Sequence, residues 1–196
     1  MTGTTTTPLA DAVTLCEQSA GYALHSLSDL TDADLDRPTP CPDWDLRTLL
    51  LHLAGAADAL TELVTTGNLN LTTTPRPHVD PVAAARDRIH RLRDTLTSAA
   101  QRDPSGQTAE QTRWATTAAH AAAIELAAHG WDISTARGAD HQIPTGLAVA
   151  LLDLSRSLID DDARFPRFGQ PVQVPPTATP NDRFIAFLGR HPAPRD

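Results

Sequence analysis

The stretch from Ala118 to Asp132 constrains this chain more than any other. Seven of the eleven residues from Ala118 to Ala128 are alanine, and alanine loses the least freedom on entering a helix. The spacing predicts one long helix over about Ala109 to Ala136, ending near Gly138. Into this small, apolar helix the sequence sets Glu125 and His129, four apart and so one above the other on one face. Asp132 follows three residues later on the same stripe. A carboxylate and an imidazole in an alanine-rich, buried helix are costly unless something pairs with them, and a divalent cation would satisfy both. Taken alone, the pair reads equally well as a hydrogen-bonded couple on a helix surface.

The remaining elements are also helical. Leu9, Val13, Cys16, Ala20, Ala23, Leu24 and Leu27 form one stripe, predicting a first helix over about Leu9 to Leu30. Within that stripe Cys16 reads as a small core hydrophobe. Pro38, Pro40 and Pro42 then forbid a helix or a ladder up to Asp45. Asp45 or Asp43 is placed to cap a second helix over about Leu46 to Thr66, which Gly67 ends. After a loop from Asn68 to Val79, a third helix is expected over about Pro81 to Gln101, and a fifth over about Thr145 to Asp161. The segment from Phe165 to Pro180 reads as irregular, followed by a short helix over Asn181 to Leu188. The expected fold is all-α: a four-helix bundle with one additional helix and a short C-terminal tail helix. With no internal repeat or linker, one domain is expected over residues 1–196, with 1–8 and 191–196 flexible.

Bundles build metal and cofactor sites from side chains facing inward on neighbouring helices. The second helix offers His52, within Leu49-Leu50-Leu51-His52-Leu53. By itself His52 reads more readily as a satisfied core histidine. Together with Glu125 and His129 it would make a three-ligand site with positions open to water or substrate, as in catalytic rather than structural metal sites. Asp132 is then a partner that orients His129, or equally a partner for an arginine such as Arg190. Trp44 and Trp131 read as core packing, with walling of a pocket as the other role. Cys41, between two prolines, reads more readily as a loop-packing residue, with an approach to the metal site as the other role, and His120 points away from the Glu125 face. His25, His78, His90, His141 and His191 read as solvated or loop residues, and Asp160-Asp161-Asp162 as a charged helix end.

Charge narrows the partners. The formal net charge of -8 excludes the basic surface that nucleic acid or an anionic membrane would need. All sixteen basic residues are arginine, so no lysine is available for Schiff-base chemistry. The two cysteines make no disulfide scaffold, the Thr-rich start has no signal-peptide pattern, and no apolar run suits a spanning helix, so a cytoplasmic protein is expected. Exposed leucine faces would permit a homodimer. No Gly-x-Ser-x-Gly elbow and no phosphate-binding glycine loop occur.

The residues from Thr39 to Gly55, with Pro40-Cys41-Pro42-Asp43-Trp44 followed by His52, resemble the second-helix signature of a known family. It is that of actinobacterial metal-binding proteins related to the N-terminal domain of mycothiol-dependent maleylpyruvate isomerase, within the DinB/YfiT-like superfamily. Glu125-Leu126-Ala127-Ala128-His129-Gly130-Trp131-Asp132-Ile133 resembles its second metal motif, and Asp182 to Pro192 the ending of its single-domain branch. The resemblance implies a four-helix core and a divalent metal, zinc first, on His52, Glu125 and His129. It also implies mycothiol as a candidate cofactor and a small-molecule substrate. The isomerase carries a further C-terminal domain for which a chain of this length leaves no room, so isomerisation of maleylpyruvate itself is not expected. The leading expectation is a metal-dependent S-transferase or isomerase that activates a low-molecular-weight thiol toward a small electrophile. The alternatives are a non-catalytic metal- or ligand-binding module and a tailoring enzyme of secondary metabolism using the metal as a Lewis acid.

Overall fold

The computed structural model describes residues 7–70, 80–160, 164 and 167–192. Among these the protein is all-α, with six helices and no strand. They are α1 (Pro8–Ser26), α2 (Leu46–Thr66), α3 (Pro81–Gln101), α4 (Ala109–Ala136), α5 (Thr145–Leu158) and α6 (Pro180–Phe187). Residues 1–6, 71–79 (with His78), 161–163, 165, 166 and 193–196 lie outside the described residues, and with them most of the expected 68–79 loop and of the Asp160-Asp161-Asp162 run.

Side-chain caps set the helix starts. Asp45 accepts from the Thr48 N–H at 2.8 Å, and Asp80 from Val82 and Ala83 at 2.9 and 3.2 Å. Thr108 and Gln111 form a reciprocal capping box at α4. Thr7 caps α1, and Pro8 is the first residue of the helix. Gly67 closes α2 at φ 77°, a left-handed position that a side chain would strain. The Trp114 indole packs directly on it, where a Cβ would stand.

Two helix ends depart from expectation. α1 stops at Ser26, not Leu30. Ser28 turns both its N–H (3.1 Å) and its hydroxyl (2.8 Å) onto the His25 carbonyl, a local competition typical of serine. Leu27 and Leu30 continue the apolar spacing through this turn, since Leu27 is fully buried and Leu30 packs on the core. α5 ends at Leu158 rather than Asp161 because Ile159 leaves helical geometry (φ -112°, ψ 91°) to bury its side chain.

α1 packs on α4 and α3, and α2 on α3 and α4, so α1 lies diagonal to α2 in the bundle; α5 packs mainly on α6. The core is leucine- and alanine-built. Leu49, Leu50, Leu53, Ile89, Leu96 and Ile133 are fully buried, each side chain contributing roughly 1.5–3 kcal/mol of transfer free energy. Small residues on α4 allow close approach: a Cβ on Gly130 would stand 2.9 Å from the Tyr22 ring of α1. That contact fixes the α1–α4 crossing beside His129. No described helix is long and apolar enough to cross a membrane.

Candidate metal centre

α2 and α4 are neighbours, and they bring His52 to the Glu125–His129 face. One carboxylate oxygen, Glu125 Oε1, lies 2.6 Å from His52 Nε2 and 3.2 Å from His129 Nε2. The three ligand atoms all lie within 4.8 Å of one another. A tetrahedral zinc-type ion at about 2.0–2.1 Å from each would set them roughly 3.4 Å apart, inside that limit.

His129 is 5% exposed and Asp132 is 0% exposed. His129 Nδ1 bonds Asp132 Oδ2 at 2.9 Å, so the carboxylate fixes the ring and aims Nε2 at Glu125. Arg190, just beyond α6, holds Asp132 in turn. Its Nη2 donates to Oδ2 at 2.7 Å and its Nε to Oδ1 at 3.0 Å. Asp132 therefore takes both roles that the sequence leaves open.

Electrostatics follow from this packing. Burial alone would push Glu125 up, but the His129 charge and the hydrogen bonds from both histidines outweigh it and hold the carboxylate well below its ordinary range. Burial alone would push His129 down. The Glu125 charge and the bonds with Asp132, Cys41 and Glu125 outweigh it and raise the imidazole well above its ordinary value. In Asp132, burial is outweighed by the Arg190 charge, and the carboxyl is lowered. The raised His129 imidazole thus faces Glu125 with its proton held between them. With their lone pairs free, the two Nε2 atoms and the Glu125 oxygen present two nitrogens and one oxygen, a donor set suited to a borderline divalent ion.

A second group, Cys41, His129 and Asp132, also lies within 4.8 Å. It meets on the Nδ1 side of His129, opposite the first. There both Asp132 oxygens serve Arg190, whose Nη2 is 3.4 Å from Cys41 Sγ. A cation placed there would meet a fixed guanidinium charge, so the donor chemistry favours His52, Glu125 and His129.

Of the two roles open to Cys41, the approach to the centre is the one seen: its Sγ is 3.5 Å from Asp132 Oδ2, at the rim. Trp44 packs against the core as read, and its half-buried ring also reaches the centre, its centroid 4.7 Å from that of His52 and 6.2 Å from that of His129. Both sit on a tight reversal that runs from the isolated bridge Pro38–Asp45 through Asp43 at φ 64°. Helical periodicity carries no signal for such a loop. Trp131 does pack in the core, at 4% exposure, and Cys16 is buried, its thiol pushed up to about 12 by burial and the neighbouring Glu17 charge. His141, read as a loop residue, is partly buried: its ring lies 4.7 Å from Tyr22 and 4.3 Å from His25. His90 lines a surface groove of about 680 Å³ with Asp87, Arg91 and Asp94, which shares no residue with the triad.

The profile of the mycothiol maleylpyruvate isomerase N-terminal domain matches residues 16–134. The chain belongs to this family. The match to the mycothiol maleylpyruvate isomerase N-terminal domain runs from α1 through the last turns of α4 and includes Cys41, Trp44, His52, Glu125, His129 and Asp132. Arg190 lies beyond it. No curated protein and no solved structure matches the chain.

Proposed function

We propose that His52, Glu125 and His129 hold one divalent cation, zinc first among candidates, and that the centre activates a low-molecular-weight thiol of the mycothiol type toward a small electrophile. The observation that supports it is the convergence of two Nε2 atoms on one carboxylate oxygen, 2.6 and 3.2 Å away, in a chain of this family. A bound divalent cation supplies the charge that keeps a thiol as thiolate, the nucleophilic form.

The chain's own residues supply the rest. Asp132 and Arg190 hold the His129 ring, and Glu125 keeps its charge at working pH. His52, 38% exposed, and Glu125, 26% exposed, leave the centre open on one side, where a thiol and its partner can enter. The Trp44 indole gives that side an apolar wall. The net acidic surface suits a small diffusible thiol rather than a polyanion. The test is incubation of metal-loaded protein with mycothiol and a haloarene. Adduct above background is expected, and its absence with metal bound would defeat the thiol reading.

One observation favours a second reading, a binding module without turnover. Glu125 is engaged by His52 and His129, and Asp132 by His129 and Arg190. No uncommitted general base stands beside the triad among the described residues. Tight metal binding with no exchange of thiol or water at the ion would select this reading.

A further inference from the structure

The two histidines are held by different means. His129 gives Nδ1 to a carboxylate that is itself fixed by Arg190. His52 has its one described hydrogen bond at Nε2, to Glu125, and no described residue bonds its Nδ1. Its side chain is 38% exposed, so hydrogen bonding alone leaves the ring free to turn about its χ angles. What lies against the ring is the indole of Trp44, centroid to centroid 4.7 Å at 50°. The same indole lies nearly parallel to His129, at 6.2 Å and 26°. The imidazoles themselves stand 5.1 Å apart at 76°. One aromatic surface therefore contacts both rings, one from α2 and one from α4.

Trp44 is well placed to act as a fixed surface. Its N–H donates to the Cys41 carbonyl at 3.2 Å, and its carbonyl accepts from the Thr39 N–H and hydroxyl, both at 3.0 Å. The next residue, Asp45, caps α2 and pairs with Pro38. The loop is thus tied to the start of the helix that carries His52.

We infer that Trp44 is a positioning residue for His52, its indole doing for this ring what the Asp132 carboxylate does for His129. The inference rests on the metal reading above. An imidazole on a cation carries extra positive charge, and the indole face is the most electron-rich aromatic surface in a protein. The contact therefore strengthens when a cation is held and favours the bound arrangement. An apolar side chain of similar bulk would exclude water as well but would lack this attraction.

Competition against a chromophoric chelator gives the Zn²⁺ affinity of the wild type and of the Trp44→Phe, Trp44→Leu and Trp44→Ala variants. Loss of groups that orient metal-bound histidines costs roughly 10–100-fold in affinity. Trp44→Leu and Trp44→Ala are expected to lose roughly tenfold, and Trp44→Phe about threefold or less, since a smaller ring still stacks. In metal-free protein, the His52 ring protons should be shifted upfield by the indole ring current in the wild type and return toward ordinary positions in Trp44→Leu. Equal affinity in Trp44→Leu and Trp44→Phe would overturn the inference, because bulk alone would then suffice. If Trp44→Ala fails to fold by circular dichroism, that Leu–Phe comparison decides. A wild type that binds no zinc removes the metal reading and this inference with it; a wild type that binds alongside equally tight variants removes this inference alone.

Discussion

Replacing Asp132 by Asn tests the buried chain Arg190–Asp132–His129 at its middle. Asp132 has no exposure and the Arg190 side chain only 10%. Removing one member of a buried ion pair costs about 3–5 kcal/mol, because the other charge stays buried without compensation. An asparagine oxygen can still accept one bond from Arg190, which places Asp132→Asn near the low end, about 3 kcal/mol. For a chain of this size that corresponds to a fall in Tm of roughly 6–12 °C. Urea unfolding of metal-free protein measures it, beside Arg190→Met and the double variant. Arg190→Met should cost a similar amount. The double variant should cost clearly less than the sum, since neither charge is then stranded. Strictly additive costs, or single costs below about 1 kcal/mol, would refute the idea that this pair is a buried, mutually dependent unit.

Three further outcomes are expected. Gly130→Ala should gain about 1 kcal/mol of helix propensity yet lose more, because the new methyl would stand 2.9 Å from a Tyr22 ring whose hydroxyl is pinned to the His141 carbonyl at 2.7 Å. A net loss of about 1–2 kcal/mol in the urea midpoint is predicted, and a stabilised variant would contradict the α1–α4 contact. A thiol-specific disulfide reagent should modify Cys41 in native protein and Cys16 only after denaturation, as Cys16 is 1% exposed; two fast thiols would contradict the packing. In metal-free protein, the Glu125 contribution to stability is present above its unfolded value near pH 4.3 and is lost as pH falls through its depressed folded value. The His129 contribution is present below its unfolded value near pH 6.5 and is lost as pH rises through its raised folded value. Stability should therefore peak at about pH 4.5–6.5, whereas metal affinity should increase as pH rises above that window, because a cation needs both imidazoles neutral. Urea midpoints with and without Zn²⁺ across pH read both trends, and a metal-free protein that gains stability above neutrality would contradict the assigned pair.

The helices were legible where local chemistry marks both period and ends. α2, α3 and α4 begin at Asp45, Asp80 and Thr108 caps, and α2 ends at a left-handed Gly67, so their bounds follow from sequence. The ends of α1 and α5 were hidden because Leu27 and Ile159 are buried, and Leu30 packs on the core, after leaving the helix, and an apolar period cannot distinguish a packed turn residue from a helical one. Glu125 and His129 share a face by their spacing alone. The approach of His52 depends on α2 lying next to α4, which the motif resemblance supplied and periodicity did not. Cys41 and Trp44 reach the centre through a proline-bounded reversal with a positive φ at Asp43, and the Cys41–Asp132 contact spans 91 residues of sequence. No local pattern encodes such a contact.

Elemental analysis of the purified protein, beside Glu125→Gln and His129→Ala, shows whether these side chains hold a metal. About one divalent ion per chain is expected in the wild type, with a large fall in both variants and helical content retained. Equal metal content in all three proteins would contradict the metal reading.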